Sequence, residues 1–557
     1  YRTMRCILDI ETDGLLDTAT KVHCIVAFDI DNKEQYVFVG EECKVRFPNF
    51  VRRVDKFIMH NGISFDAPAL NKLCSTSIKE SQIIDTLIMS QLFNPIRDGG
   101  HSLSAWGERL NFPKGDISNF TFYSEAMLNY CKQDVNLTYK LYKHLLEEGK
   151  GFSRSSLDLE HKIRDIINSQ ENTGFYLDLP YATILCACLQ DKVDILYDKL
   201  QKTFTPIITK GRTHKSSGKP LKDIVEPFNP ASRKQIGERL IQLGWKPTKR
   251  TDKGNIIVDE GVLSKINMKE AKQISEYLLL QKRIVQISSW INSIKDDGRV
   301  HGRVLTLRAI TGRMAHTSPN MAQVPAGYSP YGEECRSCWT VENKETHSLV
   351  GTDASGLELR GLAHFMGDQN FVKEIIEGDV HTANQRMAGL ETRDQAKTFI
   401  YALMYGAGAA KIGSVVGGSS KDGERLIQRF MKNMPKFNLL KRNLNVAAMS
   451  GKIKGLDGRL LHIRSPHAAL NTLIQGAGAV ICKRWLVQMT NKIKQEGLDA
   501  RLVASIHDEY QFEVNNKDID RFGEITSTSI KEVEDIYNLK CPLDSEYKVG
   551  KKWAETH

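Results

Sequence analysis

The beginning of the chain alternates apolar and polar residues in three short runs. These runs cover residues 5–10, 23–28 and 35–39 and are rich in Ile, Val and Phe. Alternation of this kind is typical of β-strands that bury one face. Helical spacing of apolar residues follows around 84–93 and 127–146, and glycines interrupt it near residue 150. The pattern therefore predicts an α/β domain over residues 1–150.

The rest of the chain, residues 151–557, combines long helical patterns with short strand patterns. Helices are predicted at 156–174 and 181–203 and at several places within 231–296 and 367–450, and strands at 302–306, 347–353 and 500–514. Residues 210–222 (KGRTHKSSGKPLK) lack apolar periodicity and form a basic loop. Two interpretations of this loop stay open, a solvated surface segment or a contact to a phosphate backbone.

Size, composition and charge narrow the class of protein. A chain of 557 residues exceeds one compact core, so two or more domains are expected. Apolar residues make up 41% and charged residues 26%, as in ordinary globular proteins, and no apolar run is long enough to span a membrane. The eleven cysteines are scattered, with one CxxC at Cys335–Cys338, which favours ordinary thiols. The net charge of +10 lies after residue 150 and suits a polyanion such as nucleic acid.

Four acids of the first domain form a pattern that suits metal-dependent hydrolysis. Asp9 and Glu11 are two apart on a predicted strand, so both carboxylates point to one face, where a cation is needed to neutralise them. Asp66 follows later, and Tyr130 and Asp134 are four apart on a predicted helix and share a face. Such a set could hold two Mg²⁺ ions for phosphodiester hydrolysis. Each acid alone is more often a solvated residue or a helix cap.

A second set of acids is widely separated in the remaining chain. Asp353 ends a predicted strand before an Ala-Ser-Gly turn, so its carboxylate and the carbonyl of Ala354 could both bind Mg²⁺. Asp508 and Glu509 lie between two predicted strands in a His-Asp-Glu turn. The alternative for this turn is a hairpin tip without catalytic chemistry.

Four residues between these acids repeat at every fourth position, namely Arg393, Lys397, Tyr401 and Tyr405. On a helix, each step of four overshoots a full turn by about 40°, so the four side chains form a stripe about 18 Å long. Two cations followed by two aromatic rings match a nucleotide that lies along the helix, with its phosphates at one end. The alternative is a helix with a basic first half and aromatic core contacts.

These motifs resemble those of two known families. Asp9-x-Glu11, Asn61 to Asp66 (NGISFD) and Tyr130-x-x-x-Asp134 are similar to the motifs of DEDD exonucleases, which implies an RNase H-like 3′–5′ exonuclease domain. DASGLELRGLAHFM (353–366), RDQAKTFIYALMYGAG (393–408) and SIHDEYQ (505–511) resemble motifs A, B and C of family A DNA polymerases. Further strings such as GDVHT (378–382) and GLDGR (455–459) make the resemblance closest to the replicative polymerases of T-seven-type short-tailed phages.

The resemblance implies a role for individual residues. Asp353, Ala354 and Asp508, with Glu509 beside them, would hold two Mg²⁺ ions, or Mn²⁺ in their place, for attack of the primer 3′-hydroxyl on the α-phosphate. In the exonuclease, Tyr130 would orient the attacking water beside two metal ions held by Asp9, Glu11, Asp66 and Asp134. The triphosphate would be bound by His381, Arg393 and Lys397. At the sugar, Glu358 would exclude a 2′-hydroxyl, and Tyr401 would allow ready acceptance of dideoxynucleotides. Tyr405 would contact the templating base pair, and the primer–template minor groove would be met by Arg313, Asn471, Gln475 and His507.

The same resemblance implies a right-hand polymerase domain over residues 151–557. Its thumb is expected at about 181–296, its palm at about 297–370 and 451–557, and its fingers at about 371–450. The phage relatives carry an insertion near the thumb tip that binds host thioredoxin, and here residues 214–222 lead almost directly to 225–233, which leaves no room for it. Thioredoxin is therefore not expected as a partner. The expected partners are primer–template DNA and dNTPs, with a phage helicase–primase and a single-stranded DNA-binding protein as further candidates.

The expected function is template-directed DNA synthesis with proofreading, by the replicative polymerase of a phage in the cytoplasm of its bacterial host, without membrane contact. The main alternative is a repair-type family A polymerase that fills short gaps. A non-catalytic DNA-binding component of the replisome would lack some of the six acids at positions 9, 11, 66, 134, 353 and 508, and none is missing. A single-subunit RNA polymerase is disfavoured by Glu358 and by the attached exonuclease motifs.

Overall fold

The N-terminal part of the computed structural model, which describes residues 4–557, is built around a five-stranded mixed sheet. Its strands are β1 (Met4–Thr12), β2 (Val22–Asp29), β3 (Glu34–Val39), β4 (Val54–Met59) and β5 (Ile83–Asp85). The strand order is β3-β2-β1-β4-β5, and β1 pairs antiparallel with β2 and parallel with β4. The strand that carries Asp9 and Glu11 is therefore the central one.

Six helices accompany this sheet. They are α1 (Glu42–Val45), α2 (Phe47–Val51), α3 (Ala67–Leu73), α4 (Thr86–Phe93), α5 (Leu103–Arg109) and α6 (Glu125–Glu148). Apolar residues of β1 such as Ile7 and Leu8 are buried in one core with those of α6. Helix α4 begins at Thr86, slightly later than the apolar spacing predicts, because the Asp85 carboxylate caps it by accepting a hydrogen bond from Leu87 N (3.0 Å). The predicted α/β character of this part is confirmed.

A helical region with an exposed hairpin follows. Its elements are α7 (Arg154–Thr173), β6 (Phe175–Leu177), α8 (Leu179–Thr203), β7 (Ile207–Thr209), β8 (Ile224–Glu226), α9 (Arg233–Gln242), α10 (Glu260–Ser264) and α11 (Lys269–Ser293). The long helices α8 and α11 pack along each other. β7 and β8 pair antiparallel, and Thr213 bridges to Pro220. The predicted basic loop, residues 210–222, therefore closes a β-hairpin and is exposed along its whole length.

The next part of the chain runs from short strands into a bundle of helices. Its elements are β9 (Arg299–Val300), β10 (Arg303–Leu305), β11 (Ala315–Thr317), α12 (Gly332–Ser337), β12 (Trp339–Thr340), β13 (His347–Ala354), α13 (Leu357–Met366), α14 (Gln369–Ile376), α15 (Val380–Ala388), α16 (Arg393–Met404), α17 (Ala409–Ser414), α18 (Ser420–Asn433) and α19 (Pro435–Ala448). Apolar residues of α13 to α19 share one core, so the helices predicted within 367–450 form a single packed unit.

The chain ends in the elements that complete the second sheet. They are β14 (Lys452–Lys454), β15 (Leu460–His462), α20 (Ala469–Glu496), β16 (Ala500–Ile506), β17 (Glu509–Asn515), α21 (Ile519–Ile536), β18 (Ser545–Gly550) and α22 (Trp553–Thr556). The sheet is antiparallel with the order β16-β17-β13-β18. It brings the end of β13 beside the turn between β16 and β17. Among the described residues, no helix is long and apolar enough to cross a membrane.

A buried charge network joins α7 to α20 and to the β14–β15 hairpin. Glu160 of α7 accepts hydrogen bonds from Lys483 Nζ of α20 (2.8 and 2.9 Å) and from Arg459 of the β14–β15 hairpin (2.8 Å). Arg459 also forms an ion pair with Asp457 (2.9 Å), and all four side chains are at most 2% exposed. Two negative and two positive charges are thus matched inside the protein.

Candidate active sites

The four acids predicted in the N-terminal domain converge on one buried site. Asp9 and Glu11 point from β1 to one face of the sheet, where Asp134 of α6 faces them. Asp66 ends a π-helical turn, Gly62–Asp66, that follows β4. This turn is held by Asp85, whose carboxylate accepts hydrogen bonds from Asn61 N (2.9 Å) and Ile63 N (3.2 Å).

Mutual repulsion and burial perturb these carboxyl groups strongly. Burial, followed by the charges of Asp134 and Glu11, holds the pKa of Asp9 well above its usual range. Burial and then Asp134 raise the pKa of Glu11 to about 8. Burial raises the pKa of Asp134 to about 6, although the charge of Lys114 opposes this shift. Burial, and then the charge of Asp9, also raise the pKa of Asp66 well above its usual range.

Two oxygens of this cluster fit a bound cation. Asp66 Oδ2 and Asp134 Oδ1 are buried and have no hydrogen-bond partner among residues 4–557. A buried carboxylate oxygen without a partner is costly, and a divalent ion would both satisfy it and relieve the repulsion. The residues present therefore fit divalent metal ions.

Three residues near this site were missed by the sequence analysis. Lys114 Nζ lies 3.4 Å from Asp134 Oδ2 and 5.1 Å from the centre of the half-buried Tyr130 ring. Cys131 Sγ lies 3.4 Å from the backbone oxygen of Asp9, and Asp85 holds the turn of Asp66. Cys131 could have been found from its helical spacing to Asp134, whereas Lys114 lies in a loop with no such periodicity.

The two aspartates predicted in the second domain meet at the edge of neighbouring strands. Asp353 is near the end of β13, and Asp508 lies in the two-residue turn that joins β16 to β17. The backbone N–H of Ala354 donates to the backbone oxygen of Asp508 (3.1 Å), which ties the two segments together. Partial desolvation by the surrounding protein, and then the charges of Asp508 and Glu546, raise the pKa of Asp353 to about 6. Like charges held this close fit a cation between them.

Glu509 differs from the two aspartates because its carboxylate is already engaged. It lies opposite Asp353 in the strand register and is 5% exposed. Trp553 Nε1 donates to it at 3.3 Å, and His557 Nδ1 lies 3.2 Å away. Burial raises the pKa of Glu509 to about 7. This carboxylate is therefore less available to a metal ion than those of Asp353 and Asp508.

Helix α16 presents the predicted stripe, with one difference. The helix ends at Met404 and Tyr405 is its C-cap, because Gly406 adopts a left-handed conformation (φ 80°). The rings of Tyr401 and Tyr405 are still stacked, with centroids 6.3 Å apart. Arg393 and Lys397 are exposed on the first half of the helix. The stripe is thus continued by the cap and not by a further helical turn.

His381 of α15 lies behind this stripe. Its ring centroid is 6.2 Å from that of Tyr401, and burial, followed by the charges of Arg393 and Lys397, lowers its pKa. Arg393 Nε donates to Asp379 Oδ2 (2.7 Å), and Asp379 also caps the N-terminus of α15. One acid therefore orients both the arginine and the helix that carries His381.

Glu358 faces the aromatic end of the stripe. It is in the first turn of α13, and the hydroxyl of Tyr405 donates to its carboxylate at 2.8 and 3.1 Å. Arg313 lies 3.9 Å from the same carboxylate. The structure thus fixes Glu358 between Arg313 and Tyr405.

The four residues predicted to meet the DNA minor groove are distributed over two places. Arg313, His507 and Asp508 line one small cavity together with Cys482. Asn471 and Gln475 are half-buried and one turn apart near the start of α20, the helix that also carries Cys482.

Comparison with known families identifies the class of protein. Residues 209–555 match the family model described as DNA polymerase family A, and residues 6–150 match that of a 3′–5′ exonuclease. The chain therefore belongs to DNA polymerase family A and carries a 3′–5′ exonuclease domain. Enzymes of these families generally depend on divalent metal ions.

Among individual relatives, the chain is similar to DNA polymerases of two phages. The DNA-directed DNA polymerases of Escherichia phage T7 and of Enterobacteria phage T3 are each 32% identical to it, and the alignments cover 99% of this chain and 100% of the relative. These alignments span 702 positions, more than the 557 residues here, so the relatives contain segments that this chain lacks.

A solved structure shows the same fold. The POL domain of Pol1 from M. smegmatis, in complex with DNA primer-template and dNTP, superposes with a TM-score of 0.80 and 19% sequence identity. The match covers 99% of this chain and 96% of that one. The predicted fold, an exonuclease domain followed by a polymerase domain, is confirmed by these comparisons.

Proposed function

We propose that this chain is the replicative DNA polymerase of a phage, which extends a primer with dNTPs and proofreads the product, with Mg²⁺ at both sites. The observation that carries the proposal is that Asp353 and Asp508 meet at adjoining strand ends. The stripe of α16, whose cations and aromatic rings match the length of a nucleotide, belongs to the same domain. In this assignment, residues 1–150 hydrolyse the 3′ end. Residues 151–557 synthesise DNA, with a thumb at about 181–296, a palm at about 297–370 and 451–557, and fingers at about 371–450.

In the polymerase site, Asp353, Asp508 and the carbonyl of Ala354 would hold two Mg²⁺ ions. When bound, the metal supplies positive charge that activates the primer 3′-hydroxyl and neutralises the α-phosphate. Arg393, Lys397 and His381 bind the triphosphate, and the positive N-terminal end of α16 favours the phosphates.

The aromatic half of the stripe orients the sugar and the base. Tyr401 would pack against the sugar and Tyr405 against the templating base pair, and the stacking of the two rings keeps them side by side at this end of the stripe. Glu358, held by the Tyr405 hydroxyl, occupies the space that a ribose 2′-hydroxyl would need. Deoxyribonucleotides are thereby selected through a steric and polar barrier.

In the exonuclease site, the carboxylates of Asp9, Glu11, Asp66 and Asp134 would hold two Mg²⁺ ions, with Mn²⁺ as a substitute. When bound, the metal supplies an activated water and stabilises the leaving oxygen. Tyr130, at the half-exposed edge of the site, orients that water.

The partners follow from the same assignment. Primer–template DNA is read at the minor groove by Arg313, Asn471, Gln475 and His507, whose position in or near the polymerase site supports this role. A phage helicase–primase and a single-stranded DNA-binding protein are proposed as further partners in the cytoplasm of the infected host. Thioredoxin is not, because the phage relatives are longer and the thumb here ends in a short hairpin.

The two sites can be tested by removing each in turn. Asp353→Ala or Asp508→Ala should abolish primer extension in Mg²⁺ with dNTPs, while hydrolysis of a single-stranded 3′ end continues. Asp9→Ala combined with Glu11→Ala should stop hydrolysis and leave extension intact. The activity that each variant keeps shows that the variant is folded. Loss of both activities in a folded single-site variant would contradict two independent sites.

The length of the products of primer extension distinguishes a replicative polymerase from the alternative, a repair-type polymerase. On a long single-primed template, a replicative enzyme should produce long products, whereas a repair-type enzyme should stop after short extensions. Incorporation of rNTPs at rates comparable to dNTPs would contradict the assignment of Glu358.

A further inference from the structure

Two buried thiols lie beside the carboxylates of the exonuclease site, and hydrolysis makes no use of them. We propose that Cys131, backed by Cys24, turns the Asp9–Glu11 metal position into a site that also binds soft divalent ions such as Cd²⁺ and Zn²⁺, through a metal–thiolate bond. This inference rests on the proposed role of Asp9 and Glu11 as metal ligands. It adds a ligand, and with it a metal selectivity, that the magnesium chemistry does not require.

The distances place the thiol among the ligands. Cys131 Sγ lies 3.6 Å from Asp9 Oδ2, and one donor atom each of Asp9, Glu11 and Cys131 lies within 4.8 Å of the others. Zinc binds sulfur at about 2.3 Å and carboxylate oxygen at about 2.0–2.2 Å, so two ligands of one tetrahedral ion are roughly 3.5 Å apart. Small side-chain rotations are therefore sufficient to bring all three donors onto one ion.

The position of both thiols follows from the secondary structure. Cys131 is on α6, three residues before Asp134, so the two side chains share the helix face that covers the site. Cys24 of β2 is paired directly with Glu11 of β1, which places both side chains on the same face of the sheet. The thiol of Cys24 neighbours that of Cys131, and both residues are fully buried. The thiols thus form the inner wall of the carboxylate cluster.

A second observation shows that the cluster is prepared for a cation. Asp66 Oδ2 and Asp134 Oδ1 are buried and accept no hydrogen bond within the described part of the chain. After burial, the charge of Asp134 raises the pKa of Asp9, and the charge of Asp9 raises the pKa of Asp66, so the three carboxylates are neighbours in one cluster. The cluster therefore offers a cation two buried oxygens without a hydrogen-bond partner and the thiol of Cys131, which together make a mixed oxygen and sulfur site.

The type of ligand atom explains why this site would select soft metal ions. Carboxylates alone suit Mg²⁺, whereas a thiolate favours Zn²⁺ and soft ions such as Cd²⁺, and Zn²⁺ also ranks above Mn²⁺ in general affinity. When the metal–sulfur bond forms, the Cys131 S–H bond breaks and its proton passes to solvent, so that no oxidant or reductant is needed. The polymerase site differs, although Cys482 Sγ lies 3.8 Å from Asp508 Oδ1. Within residues 4–557, the only set of three such donors that lie within 4.8 Å of one another is the one at Asp9.

The proposal can be tested by titrating the metal-free 557-residue chain with Cd²⁺ and recording the ultraviolet charge-transfer absorption of a cadmium–thiolate bond. The wild-type chain should show a band that saturates with one tightly bound ion. In Cys131→Ser this band should be lost, or its affinity should fall by at least about tenfold. Matched controls are Cys74→Ser, a buried thiol of the same domain, and Cys482→Ser, the thiol beside the other site; both should keep the band.

Two results would overturn the proposal. The first is an unchanged band in a Cys131→Ser chain whose circular dichroism is that of the wild type. If that variant does not fold, Asp9→Ala decides: loss of the carboxylate ligand should lower the affinity for Cd²⁺ by at least about tenfold, and an unchanged band in this variant shows that cadmium binds elsewhere. Failure of the underlying assignment is recognised separately, because Asp9→Ala would then retain Mg²⁺-dependent hydrolysis whatever the cadmium band does.

Discussion

At the scale of single residues, the proposed selection of deoxyribonucleotides rests on the hydrogen bond between Tyr405 and Glu358. The Tyr405 hydroxyl holds the Glu358 carboxylate at 2.8 Å, and hydrogen bonds to charged groups contribute about 1.5–3 kcal/mol. We expect Glu358→Ala to lower the preference for dNTPs over rNTPs by about tenfold or more, because it removes both the bulk and the charge. Tyr405→Phe should lower the same preference by less, since Glu358 remains but is free to rotate. The measurement is the ratio of kcat/KM for a matched dNTP and rNTP.

The control for the Glu358→Ala and Tyr405→Phe variants is their exonuclease activity on single-stranded DNA. Neither variant should change the rate at which single-stranded DNA is hydrolysed, because Glu358 and Tyr405 are remote in the fold from the exonuclease carboxylates. If Glu358→Ala left the ribonucleotide ratio unchanged, Glu358 would not lie in the sugar pocket.

Tyr401 concerns a different part of the nucleotide. Its ring lies between those of Tyr405 and His381, and the resemblance to family A polymerases implies that its hydroxyl faces the sugar. We expect Tyr401→Phe to raise discrimination against dideoxynucleotides strongly, because the resemblance to family A polymerases links a tyrosine rather than a phenylalanine at this position with their ready acceptance. Competition between dNTP and dideoxynucleotide in primer extension measures this, with the exposed Tyr547→Phe as the matched control. An unchanged ratio would remove Tyr401 from the sugar pocket.

At the scale of elements, the network around Glu160 connects α7, α20 and the β14–β15 hairpin. Removing one partner of a buried ion pair leaves the others uncompensated, which costs about 3–5 kcal/mol. We therefore expect Glu160→Ala to lower the midpoint of thermal unfolding clearly, because Lys483 and Arg459 would keep buried charges. The control is Glu496→Ala, which breaks the exposed ion pair with Arg521 and should change stability by about 1 kcal/mol or less. Equal effects of the two substitutions would show that the buried network stabilises the protein no more than an exposed ion pair does.

The β7–β8 hairpin is the second element with a testable property. Its tip, residues 210–222, carries four exposed lysines, one exposed arginine and no acidic residue. If it grips the phosphate backbone, Lys215→Ser with Lys219→Ser should weaken primer–template binding and reduce the slope of log K against log salt by about two, at about 0.9 per phosphate contact. A matched double variant of exposed residues in the other domain, Lys44→Ser with Arg52→Ser, should leave the slope unchanged. An equal slope in both double variants would support the solvated-loop interpretation instead.

At the scale of the whole molecule, the length of the chain bears on processivity. The phage relatives align over 702 positions, whereas this chain has 557 residues and carries a short exposed hairpin between α8 and α9. We expect product length on a long template to be unaffected by reduced thioredoxin, because the short hairpin between α8 and α9 leaves no room for a long inserted segment. The positive control is a thioredoxin-dependent phage polymerase in the same assay. A marked increase in product length here would contradict this view of the thumb.

The sequence by itself determined the fold class and the candidate site residues. Asp9 and Glu11 could be assigned to one face because side chains two apart on a strand point the same way. The strand before Asp353 and the turn at Asp508 could be recognised from local apolar runs, and long motifs identified the family. All of these inferences depend on short stretches of neighbouring residues, whose spacing is visible in one dimension.

Only the tertiary structure decided how distant segments meet. It brought Lys114 and Cys131 to Asp134 and Asp9, set Asp85 under the turn of Asp66, and buried Glu160 with Lys483 and Arg459. It also ended α16 before Tyr405 and folded the basic segment into a hairpin. Such contacts join residues far apart in the chain, and their energies depend on packing and desolvation, which no local pattern of residues records.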